Sequence, residues 1–433
     1  MRLLAVAVLV AAATAIAGAR GLTGVQSWPR YQFSNDNNAV FGEPDWSYRW
    51  QSALDGKVNG ALSVIDGTIY VETFNHKLYA IDAQTGKTTW VHALDGVAMN
   101  APVVANGIVI AGTGTSHRLS EDELHVVIGD PGADSVSGFD SQTGALLWRY
   151  RTVGEDMPTG VLTLAGNTPA FIFSNGDAHV YALDPATGAL LWKRRTPGES
   201  TMSSLAEYQG RVYGLSMVLT SSAYAERTFV NASPTVPERY RYTWALDPAS
   251  RQFVWLDQFG YTDCSPAIGD GLVFVESTFW AGHGTGYNIV YAADAASGAL
   301  RWKYKSSVGP QPVSASHELA IAGTYDSGRF FESLPFAREF DAFDARSGSV
   351  LWKVKTHDAV QMSAVADKGF VYVGDIAGDL YVLDEATGKV VRELRFPNMF
   401  TTSPPVIVGN TMFIVNFSTL YAVRLSDLFS GTL

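Results

Sequence analysis

Cysteine is almost absent from this sequence, since Cys264 is the only one among its 433 residues. A single cysteine excludes a disulfide within the chain. Charged residues are also scarce, at 17%, whereas hydrophobic residues make up 47%. This composition excludes an intrinsically disordered chain and predicts a folded protein that depends on a large apolar core.

Basic residues are outnumbered by acidic ones. Lys and Arg total 31 against 42 Asp and Glu, and the formal net charge is −11. Surfaces that bind nucleic acids or anionic lipids recruit an excess of Lys and Arg. The balance therefore argues against a nucleic-acid partner.

Long apolar runs are absent except at the N-terminus. There the basic Arg2 precedes an apolar run over 3–17, and Ala19 follows in the small-residue spacing of a cleavage site. The run is shorter than the roughly 20 residues that span a bilayer. We therefore expect a signal peptide at 1–19, an extension at 20–44, and a periplasmic or secreted mature chain without a transmembrane segment.

Helix-length stretches with a 3.6-residue apolar period are absent from the rest of the chain, and one phrase recurs instead. It reads "YALDPATGALLW" at 181–192, "YAIDAQTGKTTW" at 79–90 and "YAADAASGALRW" at 291–302. Its aspartate returns every 40 to 63 residues, and Arg424 stands at the eighth position. The aspartates are Asp82, Asp140, Asp184, Asp247, Asp294, Asp344 and Asp384. A period of this length is typical of propellers and solenoids.

Each repeat predicts four strands. In the phrase, "YAL" is a strand, "DPATG" is a turn that suits Asp and a left-handed Gly, and "ALLW" begins the next strand. We interpret the tryptophan as packing between blades. The last repeat lacks a Trp strand, which residues 46–54 are expected to supply. The predicted fold is all-β, a single eight-bladed propeller of four-stranded antiparallel blades over 45–433.

The pattern Y-A-x-D-x-x-T-G-x-x-x-W, repeated over 45–424, resembles the tryptophan-docking motif of the pyrroloquinoline-quinone (PQQ) repeat propellers. That family includes calcium- and PQQ-dependent alcohol dehydrogenases, cofactor-free hydrolases such as tetrathionate hydrolase, and a non-enzymatic propeller of the outer-membrane assembly machine. The resemblance implies the fold more strongly than the function, because one fold hosts many activities.

The resemblance to the dehydrogenases extends to few of their functional residues. Those enzymes usually carry two adjacent cysteines against the quinone, and this chain has only Cys264. Asp130 stands about where their acidic calcium ligand falls, but their metal-binding Asn and catalytic Asp have no counterpart. We therefore expect no cofactor and retain PQQ with calcium, bound through Asp130, as the alternative.

Long connections are predicted between the second and third strands of four repeats, at 113–137, 219–242, 278–288 and 325–340. Binding residues concentrate on such loops, because the scaffold holds them in place. In blades five and six we expect Trp280, His283, Tyr325, Asp326 and Arg329 to converge on one pocket. His283, Asp326 and Arg329 are the catalytic candidates there, and Trp280 and Tyr325 are the ligand-binding candidates. The alternative interpretation is a set of solvated surface loops.

The loops between blades provide further ligand-binding candidates near the channel mouth, namely Glu155, Asp156, Glu199 and Asp263. Carboxylates from adjacent blades can hold a divalent cation, which prefers oxygen ligands. They are also compatible with solvated turns. The histidines and Cys264 show no transition-metal spacing, so no metal site is predicted.

Three functions stay open on these observations. The first is a non-catalytic binding or assembly scaffold of the bacterial cell envelope, whose partner is an envelope protein or a small anionic ligand. The second is a cofactor-free hydrolase with its site under the loops of blades five and six. The third is a divergent PQQ- and calcium-dependent dehydrogenase. The missing cofactor residues and the variable loops favour the scaffold, and the sequence leaves open whether the chain is an enzyme.

Overall fold

The computed structural model describes residues 47–430 apart from several internal segments. The positions left out are 1–46, 115–133, 153, 155–158, 199, 201–202, 218–227, 231–232, 236–240, 261–264, 283–284, 308, 311–322 and 431–433. The predicted signal peptide and extension therefore lie outside the described residues. Within the described part, no helix is both long enough and apolar enough to cross a membrane.

The described strands form eight four-stranded antiparallel sheets, which are the blades of a propeller. The first strand, β1 Trp50–Ala53, belongs to the last blade. Blade one contains β2 Ser63–Ile65, β3 Thr68–Thr73, β4 Lys77–Asp82 and β5 Thr88–Ala93. Blade two contains β6 Val103–Ala105, β7 Ile108–Thr113, β8 Ser135–Asp140 and β9 Leu146–Arg151.

The third and fourth blades follow the same order. Blade three contains β10 Val161–Ala165, β11 Thr168–Asn175, β12 His179–Leu183 and β13 Leu190–Arg195. Blade four contains β14 Ala206–Tyr208, β15 Arg211–Met217, β18 Arg241–Asp247 and β19 Gln252–Asp257. A separate hairpin between its second and third strands is formed by β16 Thr228–Val230 and β17 Ser233–Thr235.

Blade five contains the longest strands of the described chain. These are β21 Leu272–Gly282 and β22 Thr285–Asp294, which lie between β20 Ala267–Gly269 and β23 Leu300–Lys305, and β24 Gly309–Pro310 is added to β22. Blade six contains β25 Thr324–Asp326, β26 Arg329–Leu334, β27 Glu339–Asp344 and β28 Val350–Lys355.

The last two blades complete the ring. Blade seven contains β29 Val365–Asp367, β30 Phe370–Gly374, β31 Asp379–Asp384 and β32 Val390–Arg395. Blade eight contains β33 Val406–Val408, β34 Thr411–Asn416, β35 Thr419–Arg424 and β1, and the short helix α1 Leu425–Ser430 follows it.

The beginning of the described chain supplies the fourth strand of blade eight. β1 pairs antiparallel with β35, with Trp50 opposite Ala422 and Ala53 opposite Thr419. One sheet therefore contains strands from both ends of the described part of the chain, and β35 is not left as an open sheet edge.

The turn of the repeated phrase depends on its Asp and its Gly. In blade two, Asp140 Oδ1 accepts hydrogen bonds from the Thr143 amide at 2.8 Å and the Thr143 hydroxyl at 2.7 Å. These bonds hold the pKa of Asp140 below its ordinary value. Gly144 then adopts φ 71°, a left-handed conformation that glycine reaches without a Cβ penalty. In blade four Arg251 occupies the glycine position and still adopts φ 62°.

Each turn glycine receives a tryptophan from the preceding blade. A Cβ on Gly144 would lie 2.6 Å from Cε3 of Trp90, so the indole rests directly on the glycine backbone. Trp90 Nε1 also donates to Ser141 O at 3.0 Å. The same contact joins Trp50 to Gly86, Trp148 to Gly188, Trp255 to Gly298, Trp302 to Gly348, and Trp352 to Gly388.

Two blades lose the indole hydrogen bond. Trp148 Nε1 and Trp192 Nε1 are buried without a hydrogen-bond partner among the described residues. They face the turns that begin Asp184-Pro185 and Asp247-Pro248, whereas the turns that accept an indole have no proline there. In blade two the position of the proline is occupied by Ser141, whose backbone N–H donates to Gly107 O of a neighbouring turn at 2.8 Å. Proline has no N–H and cannot make this backbone bond. The turns that lack the backbone bond are therefore the same two whose facing indole lacks a hydrogen bond.

Blade seven makes its outer contact without a tryptophan. Arg392 occupies that position, and its Nε–H donates to Leu428 O of α1 at 3.0 Å. Phe370 of the same blade packs on Phe429, with ring centroids 4.8 Å apart. Helix α1 therefore replaces the repeated turn at the contact between blades seven and eight.

Two of the four predicted long connections are wrong. In blade five, 278–288 is a continuation of β21 and β22, with Trp280 opposite Gly286. In blade six, Asp326 pairs with Arg329 across a tight turn, and the connection after β26 is a 3-10 helix, Pro335–Ala337. The glycine-rich sequence of blade five predicts a loop, but the two strands satisfy each other's backbone groups.

We predict that Gly144→Ala destabilises the fold by about 2–4 kcal/mol, because it combines left-handed strain with a clash against Trp90. The matched control is Gly166→Ala. Gly166 also has a positive φ, 68°, but a Cβ there meets nothing within 4 Å. That change should cost about 1 kcal/mol. Urea unfolding measures both, and equal losses would show that indole docking adds nothing.

Candidate functional site

The structure separates the residues that were expected to converge under blades five and six. Tyr325 and Asp326 end β25, and Arg329 begins β26, where its Nη1 lies 2.9 Å from Glu385 Oε1 of the blade-seven turn. These residues lie on the face of the repeated turns. The structure therefore does not bring them to Trp280, whose backbone lies in the hairpin of β21 and β22.

The length of β21 gives the reason. A Cβ on Gly269, beside the start of β21, would lie 2.1 Å from Cδ1 of Tyr325. Trp280 stands eight residues after Leu272 in the same strand, which corresponds to roughly 26 Å of extended chain. One small ligand cannot contact residues at both ends of such a strand.

The other predicted site residues lie outside the described part of the chain. They are His283, Asp130, Glu155, Asp156, Glu199 and Asp263. Of Trp280 only the backbone is described, in the hairpin of β21 and β22. The catalytic role of His283, the cofactor-binding role of Asp130 and the ligand-binding roles of the others stay predictions.

A different set of ionisable residues meets between blades five and six. Glu276 of β21 and Glu332 of β26 are each 1% exposed. Two residues before them, Phe274 and Phe330 stack across the interface with ring centroids 4.4 Å apart. Side chains two apart in a strand point the same way, so both glutamates enter the same interface beyond the aromatic layer.

This pair lies at the inner edge of the two blades. The first strand of blade five pairs with β21 only over Leu272 to Phe274, so Glu276 extends beyond it. Glu332 likewise follows Phe331, the last residue that pairs with β25. A Cβ on Gly323, just before β25, would lie 2.6 Å from Glu332 Oε2. Both carboxyls therefore lie where the blade-linking segments replace the innermost strand.

Polar neighbours surround Glu276 on its own blade. Asn288 of β22 donates from Nδ2 to Glu276 Oε1, and the Thr278 hydroxyl donates to the same oxygen at 3.2 Å. Asn288 is itself fixed, because its backbone N–H donates to Ser306 Oγ at 2.9 Å. On blade six, Glu332 Oε1 accepts the backbone N–H of Ser333 at 2.9 Å.

A buried arginine of blade four supplies positive charge near the pair. Arg241, 3% exposed, donates from Nη2 to Thr278 O at 3.1 Å. Its guanidinium lies 4.2 Å from the ring centroid of Phe279, a cation–π contact. The charge of Arg241 acts on Glu276, so three consecutive blades contribute to one electrostatic cluster.

The electrostatics of the pair favour a bound proton. Burial raises the pKa of Glu276 to about 7, although hydrogen bonds from Asn288 and Thr278 and the charge of Arg241 lower it. Burial and the nearby Glu276 raise the pKa of Glu332 well above its ordinary value. Because burial raises both pKa values and Glu276 further raises that of Glu332, one carboxyl can stay protonated while the other ionises. Such a pair can act as a proton donor and a proton acceptor.

Blade one contains an isolated counterpart of Glu276. Glu72 is the fifth residue of β3, as Glu276 is of β21, and both face the following blade. Burial raises the pKa of Glu72 well above its ordinary value. Neither of its oxygens has a hydrogen-bond partner among the described residues. Glu72 thus shares the burial of Glu276 without the hydrogen bonds.

A cavity of about 540 Å³ lies on the opposite face, between blades four, five and six. Its lining includes Arg211, Asp270, Asp294, Arg301 and Arg346. The arginines already bind the protein itself. Arg301 lies 2.7 Å from Asp294, Arg346 lies 3.4 Å from Asp270, and Arg211 donates to Ala296 O at 3.0 Å. We therefore place the candidate site at Glu276 and Glu332.

Comparison with known proteins agrees with the repeat. The architecture defines a PQQ-repeat β-propeller. A family model, PQQ_2, described as outer membrane protein assembly factor BamB, matches residues 38–304 and 339–427. The chain belongs to this family.

Individual relatives differ in how much of the chain they cover. Tetrathionate hydrolase of Acidithiobacillus ferrooxidans is 25% identical over 398 residues, covering 86% of this chain and 73% of that protein. Quinohemoprotein alcohol dehydrogenase ADH IIB of Pseudomonas putida is 31% identical, but over 28% of this chain and 17% of that protein.

A solved structure shows the same fold. The quinohemoprotein alcohol dehydrogenase of Comamonas testosteroni aligns with a TM-score of 0.63 and 14% sequence identity. The alignment covers 95% of this chain and 83% of that chain. At this identity the likeness concerns the fold alone.

We predict that the buried pair makes the fold less stable as the pH rises. The pKa of Glu276 is about 7 when folded and 4.5 in the reference state, so the folded chain holds the extra proton between these values. Its stabilising contribution is complete below pH 4.5 and is lost as the pH rises through 7. Urea unfolding at pH 5 and pH 8 should show a smaller difference for Glu276→Gln than for the unsubstituted chain.

Asp140→Asn is the control for this measurement, because the pKa of Asp140 is lowered rather than raised. The contribution of Asp140 is present above its ordinary pKa and is lost as the pH falls through the folded value. Its substitution should leave the difference between pH 5 and pH 8 unchanged. An unaltered pH dependence in Glu276→Gln would contradict a protonated carboxyl at this position.

Proposed function

We propose that this chain is an exported hydrolase of a small sulfur oxyanion, with Glu276 and Glu332 as its acid–base pair. The observation that carries the proposal is the meeting of two buried carboxyls from adjacent blades at the inner edge of the propeller. Burying a carboxyl costs folding free energy. Buried carboxyls with strongly shifted pKa values are concentrated at functional sites.

The pair matches the proton movements of hydrolysis. One group must accept a proton from the attacking water, and another must donate a proton to the leaving atom. A neutral carboxyl beside an ionised one provides both. Arg241, fixed by Thr278 O and by the ring of Phe279, adds the positive charge that an anionic substrate requires.

The substrate class is supported by the relative that covers most of this chain, which is a tetrathionate hydrolase. Alcohol dehydrogenase relatives match little more than a quarter of it. We take tetrathionate as the test substrate. Export is supported by the predicted signal peptide at 1–19 and by the outer-membrane description of the matching family model.

The chain lacks the two adjacent cysteines that the resembling dehydrogenases carry against the quinone, so we do not assign the described pair to PQQ. The proposed acid–base chemistry takes no electrons from its substrate and requires no cofactor. Asp130, the predicted calcium ligand, lies outside the described residues, so calcium-dependent binding there stays the alternative.

A binding or assembly scaffold is the second candidate, because the matching family model is described as an assembly factor. In that role the buried pair would affect stability only. The two functions can therefore be separated by substituting the carboxyls and measuring turnover and stability together.

We predict that Glu276→Gln and Glu332→Gln each lower tetrathionate turnover by about 100-fold or more, because general acid–base catalysis contributes about that much. The measurement is thiosulfate released from tetrathionate by the purified chain, with circular dichroism to confirm folding. Glu72→Gln is the matched control, since it removes an equally buried carboxyl from the equivalent strand position and should retain turnover.

Two results would reject the hydrolase. The first is an unsubstituted chain that binds tetrathionate without releasing thiosulfate, which would favour the scaffold. The second is an equal loss in all three variants, which would assign the effect to folding. A parallel sample with PQQ and Ca²⁺ tests the dehydrogenase alternative, which predicts a change in absorbance and a higher melting temperature.

A further inference from the structure

Three side chains of metal-ligand type meet at the rim of blade seven. His357 lies in the segment between β28 and β29, Asp379 begins β31, and Glu393 lies in β32. One ligand atom from each lies within 4.8 Å of the other two. His357 Nδ1 is 3.0 Å from Asp379 Oδ2 and 3.6 Å from Glu393 Oε1.

We propose that these three residues bind a divalent transition ion of the zinc class, with water as the fourth ligand. Zinc bonds to imidazole nitrogen and carboxylate oxygen are about 2.0–2.2 Å long, so a tetrahedral ion places its ligand atoms roughly 3.3 Å apart. The distances of 3.0 and 3.6 Å lie on either side of this value. The third separation, between Asp379 and Glu393, is at most 4.8 Å, so movement of the two carboxylate side chains would complete the site.

The ligands are held in position by a second set of contacts, as in many metal sites. Asp375, which is buried, accepts the Asp379 backbone N–H at 3.0 Å and the Tyr381 hydroxyl at 3.0 Å. Tyr381 in turn accepts the backbone N–H of His357 at 3.0 Å. The linking segment and the strand that bears Asp379 are thus joined through Asp375 and Tyr381.

A basic residue also contacts one of the proposed ligands. Arg395 Nη1 lies 2.6 Å from Asp379 Oδ2, so its charge competes with a bound cation for that oxygen. His357 Nδ1 already contacts Asp379 Oδ2 at 3.0 Å, so a bound cation would replace this hydrogen bond.

Blade three repeats part of this arrangement and lacks the rest. His179 Nδ1 lies 3.3 Å from Asp177 Oδ1, which gives two potential ligands. Lys193 stands opposite Tyr181 in blade three, whereas Glu393 stands opposite Tyr381 in blade seven. A lysine in place of the third carboxylate excludes the same cation site, so the chain contains its own control.

The experiment titrates the folded chain with Zn²⁺ at pH 8 by isothermal calorimetry, beside four variants. We expect one saturable site that raises the melting temperature. His357→Ala and Glu393→Lys should weaken binding at least tenfold, and the latter recreates the residue found in blade three. Arg395→Met should strengthen binding, because it removes the competing charge. His179→Ala should leave the affinity unchanged.

Folding and coordination are checked separately. Melting temperatures without metal identify a variant that has lost its fold, and the absorbance of bound Co²⁺ reports its geometry, since tetrahedral Co²⁺ absorbs far more strongly than octahedral Co²⁺. Unchanged Zn²⁺ affinity in folded His357→Ala would overturn the proposal. An equal loss in His179→Ala, or the weak spectrum of octahedral Co²⁺, would overturn it as well.

Discussion

The docking of an indole on the next blade's turn is the contact on which the rest of this structure depends. A single four-stranded blade has apolar residues on both faces and cannot bury them alone. Trp90 covers the backbone of Gly144 and donates a hydrogen bond to Ser141 O. One side chain therefore supplies both an apolar contact and a hydrogen bond that orients it. Repeated around the ring, this contact sets how neighbouring blades lie against each other at their outer edge.

The inner edge of blades five and six contains buried ionisable groups, and their burial costs folding free energy. Phe274 and Phe330 stack between blades five and six, and Glu276 and Glu332 continue along the same strand faces into a buried space. Burial opposes the ionisation of both carboxyls, so the fold pays in stability for their presence. Asn288 supplies only part of the hydrogen bonding that the carboxyl of Glu276 would find in water.

Local features were predictable and contacts across blades were not. The turn at Asp140 and the left-handed Gly144 follow from residues a few positions apart, so the repeated phrase predicts them directly. Glu276 and Glu332 stand in apolar strand segments, "LVFVEST" and "RFFESL". A glutamate in such a segment signals an unusual buried acid, but nothing local shows that the two meet. Asp326 was expected beside Trp280, but it belongs to a tight turn on the face of the repeated turns, whereas the backbone of Trp280 lies at the far end of β21.

The sequence by itself determined the all-β class, the repeated unit and the Asp–Gly turns, because each depends on a short period or a local conformational preference. Only the tertiary structure decided which charged groups meet. Arg329 binds Glu385 of the next blade, and His357 lies beside Asp379 and Glu393. These contacts depend on strand register and on the distance between blades, which are set by packing of the whole ring. The motif therefore predicts the propeller, whereas the buried acid pair and the histidine–carboxylate cluster become visible only when the blades are in place.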